Sequence, residues 1–155
     1  MADYINGTYI VDVGDSTSSA NTLTGDSSIT GSVGYSDDTG DFYRFTAASS
    51  GTGTFNLSGL SADVDLYLLN SSGSTLSSST SVGSTSESVS YSLVGGQTYF
   101  LRVDPWSEYA SNYSLSVNIP EASTTTGATD RINGTYIGDV GDSTSSANTL
   151  TGDRS

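Results

Sequence analysis

Six stretches of the chain, residues 41–48, 52–57, 64–70, 87–93, 98–104 and 112–119, alternate apolar and polar residues at every second position. That period matches the two faces of a β-strand and not the 3.6-residue turn of a helix. In 41–48, Tyr43, Phe45 and Ala47 share one phase. In 64–70, Val64, Leu66 and Leu68 point inward, with Asp65 and Tyr67 outward. Residues 98–104 set Tyr99, Leu101 and Val103 against Phe100 and Arg102, and 112–119 set Tyr113, Leu115, Val117 and Ile119 against serines and asparagine. Turn signals separate them at Asn70-Ser71-Ser72-Gly73, Gly95-Gly96 and Asp104-Pro105. With shorter strands at 8–11 and 29–33, the pattern predicts an all-β antiparallel sandwich of seven or eight strands. Residues 75–86 read as a serine-rich loop or a weak edge strand. Residues 16–23 predict one helical turn capped by Asp15 or Ser16.

A repeat divides the chain. Residues 5–26 read INGTYIVDVGDSTSSANTLTGD and recur at 132–153 with only Val11 replaced, by Gly138. A spacing of 127 positions is a domain period, not a solenoid period. Residues 1–120 are therefore read as one sandwich, 121–130 as a linker, and 131–155 as the opening segment of a second tandem repeat. A duplicated tail is the other reading. As an array, the partners are neighbouring repeats of the same protein. Asp139 and Asp142 would then stand where Asp12 and Asp15 do, and exchange between molecules through 131–155 follows as an expectation.

Net charge is −13, and all four basic residues are arginine. That balance excludes nucleic acid, whose binding needs phosphate neutralisation, and disfavours anionic membrane surfaces. With no cysteine and no histidine, disulfides, Cys/His metal sites and Ser-His catalysis are excluded. Carboxylate pairs sit in turns rather than in a large cleft, so no enzyme is expected. No apolar run approaches the roughly 18 residues of a membrane span. Met1-Ala2-Asp3 lacks the pattern of a signal peptide. The Ser/Thr/Gly/Asp-rich composition fits a secreted or cell-surface bacterial module.

Two acidic turns carry the chemistry, Asp12/Asp15 around Gly14 and Asp37/Asp38/Asp41 around Gly40. Ca²⁺ takes six to eight oxygens from carboxylates and turn carbonyls. Converging carboxylates repel unless a cation lies among them, and this predicts calcium. The alternative is that aspartate simply favours exposed turns. Asp63 and Asp65 are read mainly as turn residues or as partners of Arg44 or Arg102. Trp106, the single tryptophan, and Tyr109 either stack on a sugar ring or clamp a peptide of a matrix protein. The other role for Trp106 is a cap on the open end of the core.

The runs Asp12-x-x-Asp15, Asp38-x-x-Asp41-Phe42-Tyr43-Arg44-Phe45, Ala62-Asp63-Val64-Asp65-Leu66-Tyr67-Leu68, Tyr99-Phe100-Leu101-Arg102-Val103 and Tyr113-Ser114-Leu115 resemble the bacterial pre-peptidase C-terminal domain over about residues 12–119. The resemblance implies a jelly-roll-like β-sandwich, non-catalytic, at the ends of secreted proteases and in surface proteins. A related domain, the collagen-binding domain of clostridial collagenases, binds calcium between an acidic entry segment and the turn before the D-x-Y strand. The implied ligands here are Asp12, Asp15, Asp38 and Asp41, with backbone oxygens near Ser32 and Val33. Ile10 and Gly14 stand where those relatives carry acid and asparagine, which implies one ion rather than two.

Overall fold

The computed structural model describes residues 2–34, 38–106, 108–122, 130–132 and 135–138. The chain divides into two units, Met1–Glu121 and Ala122–Ser155. The first is a sandwich of two sheets. One sheet has the order β2 (Thr8–Ile10), β1 (Asp3–Ile5), β4 (Ser27–Val33), β11 (Ser111–Asn118), β6 (Gly51–Ser58), β9 (Glu87–Leu93). The other has the order β3 (Asn21–Thr22), β5 (Asp41–Thr46), β10 (Thr98–Pro105), β7 (Val64–Leu69), β8 (Thr75–Ser79). Every pairing is antiparallel except β3 on β5, which is parallel over two residues.

The period-two pattern builds the core. Tyr43 and Phe45 from β5, Phe55 and Leu57 from β6, Leu66 and Leu68 from β7, and Leu101 from β10 are all fully buried. The Phe45 ring lies 5.6 Å from both Phe55 and Tyr99, so the two sheets interdigitate through aromatic contacts. Burying one such ring contributes about 1.5–3 kcal/mol. Three placements differ from the alternation. Tyr91 is only half-buried, whereas Phe100 and Asp65 are buried despite their outward phase.

The strands missing from the sequence reading are short. Asn6 and Gly7, at φ 50° and 80°, form the tight turn of the β1–β2 hairpin. Asn6 donates its backbone N–H to Ser28 O and accepts the Ser28 N–H at Oδ1, both at 2.8 Å, which fixes the hairpin to β4. Residues 16–23 do not make the helical turn. Ser19 N–H reaches Ser16 O at 3.1 Å, but serine hydroxyls take up the surrounding groups. Asn21 and Thr22 then join the free edge of β5, where Leu23 N–H donates to Arg44 O at 2.7 Å. A sheet edge with unpaired groups outcompetes a helical nucleus of one turn. The serine-rich stretch supplies an edge strand, β8.

In the second unit, β12 (Asp130–Ile132) pairs with β13 (Thr135–Gly138). The pairs Arg131↔Tyr136 and Ile132↔Thr135 repeat Tyr4↔Tyr9 and Ile5↔Thr8 of the first hairpin. Most of the expected linker, and Asp139 and Asp142, lie outside the described residues.

Candidate functional site

The site begins with Asp41, the first residue of β5, which lies in the inward phase and is 0% exposed. Tyr113 on β11 donates its hydroxyl to Asp41 Oδ2, and the Tyr43 hydroxyl lies 2.5 Å from that of Tyr113. Gly31 on β4 makes room for this chain. A Cβ there would stand 2.7 Å from Tyr113 Oη and 3.0 Å from Asp3 Oδ1. Gly40, at φ +146°, turns the chain between Asp38 and Asp41 in a conformation that other residues rarely adopt. Gly34 and Asp38 exchange backbone hydrogen bonds of 2.9 and 3.2 Å, which folds Asp38 back against the end of β4. Asp37, the third acid of this turn, lies outside the described residues.

The Asp12/Asp15 bend is tied to the same place. Phe42 N–H donates to Gly14 O at 3.0 Å. A side chain at Gly14 would meet Ser19 O at 2.1 Å, so only glycine permits this path. Asp12 and Asp15 themselves are exposed.

Asp3 is the member that the sequence did not reveal. It is 3% exposed, accepts the Ser32 N–H at 3.2 Å, and also takes a backbone hydrogen bond from Val13. One carboxylate thus connects β1, the Asp12/Asp15 bend and β4. Its partner across the hairpin is Ile10, the position where the resemblance implies an acid that this chain lacks. The available signal was the repeat. Extended backwards, it aligns Asp130 with Asp3, while the next position changes from Tyr4 to Arg131.

The electrostatics follow from burial among like charges. Burial pushes the Asp41 carboxyl up to about 9; Tyr113 opposes this, and the charges of Asp38, Asp3 and Asp12 add to it. Asp38 rises to about 6, through burial first and then Asp12, Asp15 and Asp3. Asp3 is raised as well, again chiefly by burial. Tyr43 and Tyr113 are held in their neutral form by the same burial. Asp38 Oδ1 and Asp41 Oδ1 are buried with no hydrogen-bond partner. Among the described residues no arginine offsets them: Arg44 bonds Thr22 Oγ1 and Arg102 pairs with Asp104. The fold therefore brings the field of Asp12 to bear on both Asp38 and Asp41, and that of Asp15 on Asp38. Among the described residues, no three acids stand close enough to form a closed ligand set as placed.

The second group of candidates lies elsewhere. Trp106 is 71% exposed and Tyr109 68% exposed, so Trp106 does not cap the core. Asp63 and Asp65 pair with neither Arg44 nor Arg102, because Arg102 is engaged by Asp104 at 2.6 Å. Instead Asp63, Asp65 and Trp106 border one cleft of about 310 Å³. Tyr109 is not among its lining residues.

The comparisons agree on the fold. Residues 39–105 match the family model of the bacterial pre-peptidase C-terminal domain. The "pre-Peptidase C-terminal Domain of Collagenase from Bacillus anthracis", a solved crystal structure, is similar at 21% identity and a TM-score of 0.54. The alignment covers 63% of this chain and 93% of that one. No curated protein matches. The central strands of the sandwich, residues 39–105, thus carry the match to the bacterial pre-peptidase C-terminal domain family, and the unit shares the β-sandwich fold of that collagenase domain.

Proposed function

We propose that this chain is a non-catalytic, calcium-binding repeat module of a secreted or cell-surface bacterial protein. One observation carries the reading: the buried, partnerless oxygens of Asp38 and Asp41 face the charges of Asp3 and Asp12 with no cationic side chain among them. A hard divalent cation relieves that repulsion and suits an all-oxygen donor set. Asp38 and Asp41 would hold it from the sandwich, Asp12 and Asp15 from the entry segment, and Asp3 would hold the bend in place. The ion supplies charge neutralisation and joins two segments distant in sequence. Calcium then stiffens the segment through which one repeat follows another. The test is thermal melting with calcium and with chelator, on the wild type and on Asp41→Ala. Loss of stability in chelator for the wild type alone is the expected result.

The repeat sets the expected partners. β12–β13 reproduces the β1–β2 hairpin, and the two positions that differ between the copies fall on exposed residues, Tyr4 and Val11. Each array repeat would receive such an entry segment, and residues 131–155 would be competent to replace it on a neighbouring molecule. Light scattering across concentration, with and without residues 121–155, checks this; a mass that never rises argues against exchange.

A second reading, a module that binds polysaccharide or matrix protein, is favoured by the exposure of Trp106 and Tyr109. Exposed indole and phenol rings at a loop are the anchors that interfaces use. Glycan and collagen arrays with wild type and Trp106→Ala test it.

A further inference from the structure

The outer face of the five-stranded sheet carries an ordered grid. On β7, Asp65 and Tyr67 share the outward phase with Asp63 just before the strand. Across on β10, Asp104 stands opposite Asp65, and Arg102 opposite Tyr67. Trp106 N–H donates to Asp63 O at 3.0 Å, which extends this ladder beyond the strand and sets Trp106 beside Asp63. Arg102 lies 5.7 Å from the Phe42 ring centroid and 5.8 Å from that of Tyr67, and it pairs with Asp104. Among the described residues, the two arginines of this face are directed elsewhere, Arg102 to Asp104 and Arg44 to Thr22 Oγ1, and neither lines the cleft that Asp63 and Asp65 border.

The cleft is built rather than incidental. Its far wall is Thr80 and Val82, just past β8. That wall is fixed from below by Glu87, a carboxylate 1% exposed on β9. Glu87 accepts the Ser79 hydroxyl, the Ser81 N–H at 2.7 Å and the Ser81 hydroxyl at 3.1 Å. A fully buried acid is costly unless hydrogen-bonded, and here each bond goes to the segment that forms the wall. Across from it stands Trp106, and Val82 is 87% exposed, so two bare apolar groups border a polar floor. Tyr67 donates its hydroxyl to Asp65 Oδ2 at 3.3 Å, which orients that carboxyl on the floor.

We infer that this cleft, with Trp106 and Val82 as walls and Asp63, Asp65 and Tyr67 as floor, binds a neutral hexopyranose unit of a polysaccharide. The inference rests on the second reading above and names its site and ligand class. A pyranose ring has an apolar C–H face, which stacks on an indole, and a rim of hydroxyl donors, which suits carboxylate acceptors. The volume, about 310 Å³, lies at the small end of ligand sites and fits one ring. Uronic or sulfated sugars are disfavoured by Asp63, Asp65 and a net charge of −13. Trp106 also borders a second hollow of about 600 Å³ with Thr39, Arg102, Asp104 and Pro105, so a bound chain can continue past the indole.

Because the chain has one tryptophan, Trp106 emission reports on the cleft directly. The full chain is titrated with neutral gluco-, manno- and galacto-oligosaccharides, with uronate and sulfated oligosaccharides, and with a Lys/Arg-rich peptide. A saturable emission shift with at least one neutral series, and none with the acidic ones, is expected. By calorimetry, Trp106→Ala should weaken that ligand at least about tenfold and Asp63→Asn about threefold or more. Unchanged melting of both variants excludes misfolding. If neutral glycans bind but only Tyr109→Ala weakens them, the cleft assignment fails and polysaccharide binding stands. Capture of the cationic peptide or of collagen in place of glycans overturns the sugar class and leaves a matrix-binding module. If no ligand of any kind is retained, both the inference and the reading beneath it fall.

Discussion

Asp41 and Asp65 are buried acids on opposite faces of the same sheet. Asp41 points into the sandwich from β5; Asp65 points out from β7 and is covered by its neighbours. Both carboxyls are raised, to about 9 and about 6, and in each case burial is the main cause. The difference lies in what surrounds them. On the inner face Asp41 has phenolic hydroxyls, further aspartates and an oxygen left without a partner. Only a proton or a metal ion can settle that charge. On the outer face, Asp65 has a tyrosine donor, and its neighbour Asp104 is already paired with Arg102. That acceptor can wait for a neutral ligand. Two similar shifts therefore point to different chemistry, and the partners, not the shifts, tell them apart.

The sharpest way to break this contrast is pH. Raised carboxyls bind protons more tightly in the folded state than in the unfolded chain. Their stabilising contribution is full below about 4, near the ordinary carboxylate value, and is lost as pH rises. For Asp38 the loss is complete near pH 6, and for Asp41 near pH 9. Calcium-free protein should therefore melt at steadily lower temperature from pH 5 to pH 9. Asp41→Asn should flatten most of that slope. Under the proposed reading calcium would displace the Asp41 proton, so its affinity should rise over the same range; calorimetry in buffers of different ionisation enthalpy would show the released proton.

A smaller effect is expected from the donor. Tyr113→Phe leaves Asp41 without its hydroxyl partner and should cost about 1–3 kcal/mol in denaturant unfolding. A loss below about 0.5 kcal/mol would mean that the Tyr113–Asp41 bond matters little. Asp65→Asn should remove only the pH dependence between about 4 and 6 and leave the response to chelator intact. If it altered the chelator response, the two faces would not be independent. Least of all, Tyr109→Ala should change stability by no more than about 0.5 kcal/mol, as its ring is exposed.

The strands that build the core were legible because period two is a direct imprint of a one-sided sheet. Tyr43, Phe45, Leu66, Leu68, Leu101 and Val103 all stand where alternation puts them. Short elements left no such imprint. Three residues of β1 cannot show a period, and Asn21–Thr22 is a strand only because β5 offers it an edge. At the acidic site, the spacing Asp38-x-x-Asp41 was visible in the chain, whereas Asp3 was not. Its part depends on a hairpin that folds it beside Val13 and Ser32. The cleft was half visible. Trp106 was conspicuous as a lone indole, but its true neighbours, Asp63 and Val82, come from two other loops. Tyr109, near in sequence, is not one of them.

The central claim is that one divalent cation joins the entry segment to Asp38 and Asp41. Calorimetric melting of the full chain at pH 7.5, in saturating calcium and in chelator, addresses it most directly, with Asp41→Asn run in parallel. A ligand at 100 times its Kd stabilises by about 2.7 kcal/mol, which for a domain of this size is roughly 10 °C. The wild type should show a difference of that order and Asp41→Asn almost none. Equal melting of the wild type in both buffers would contradict the claim.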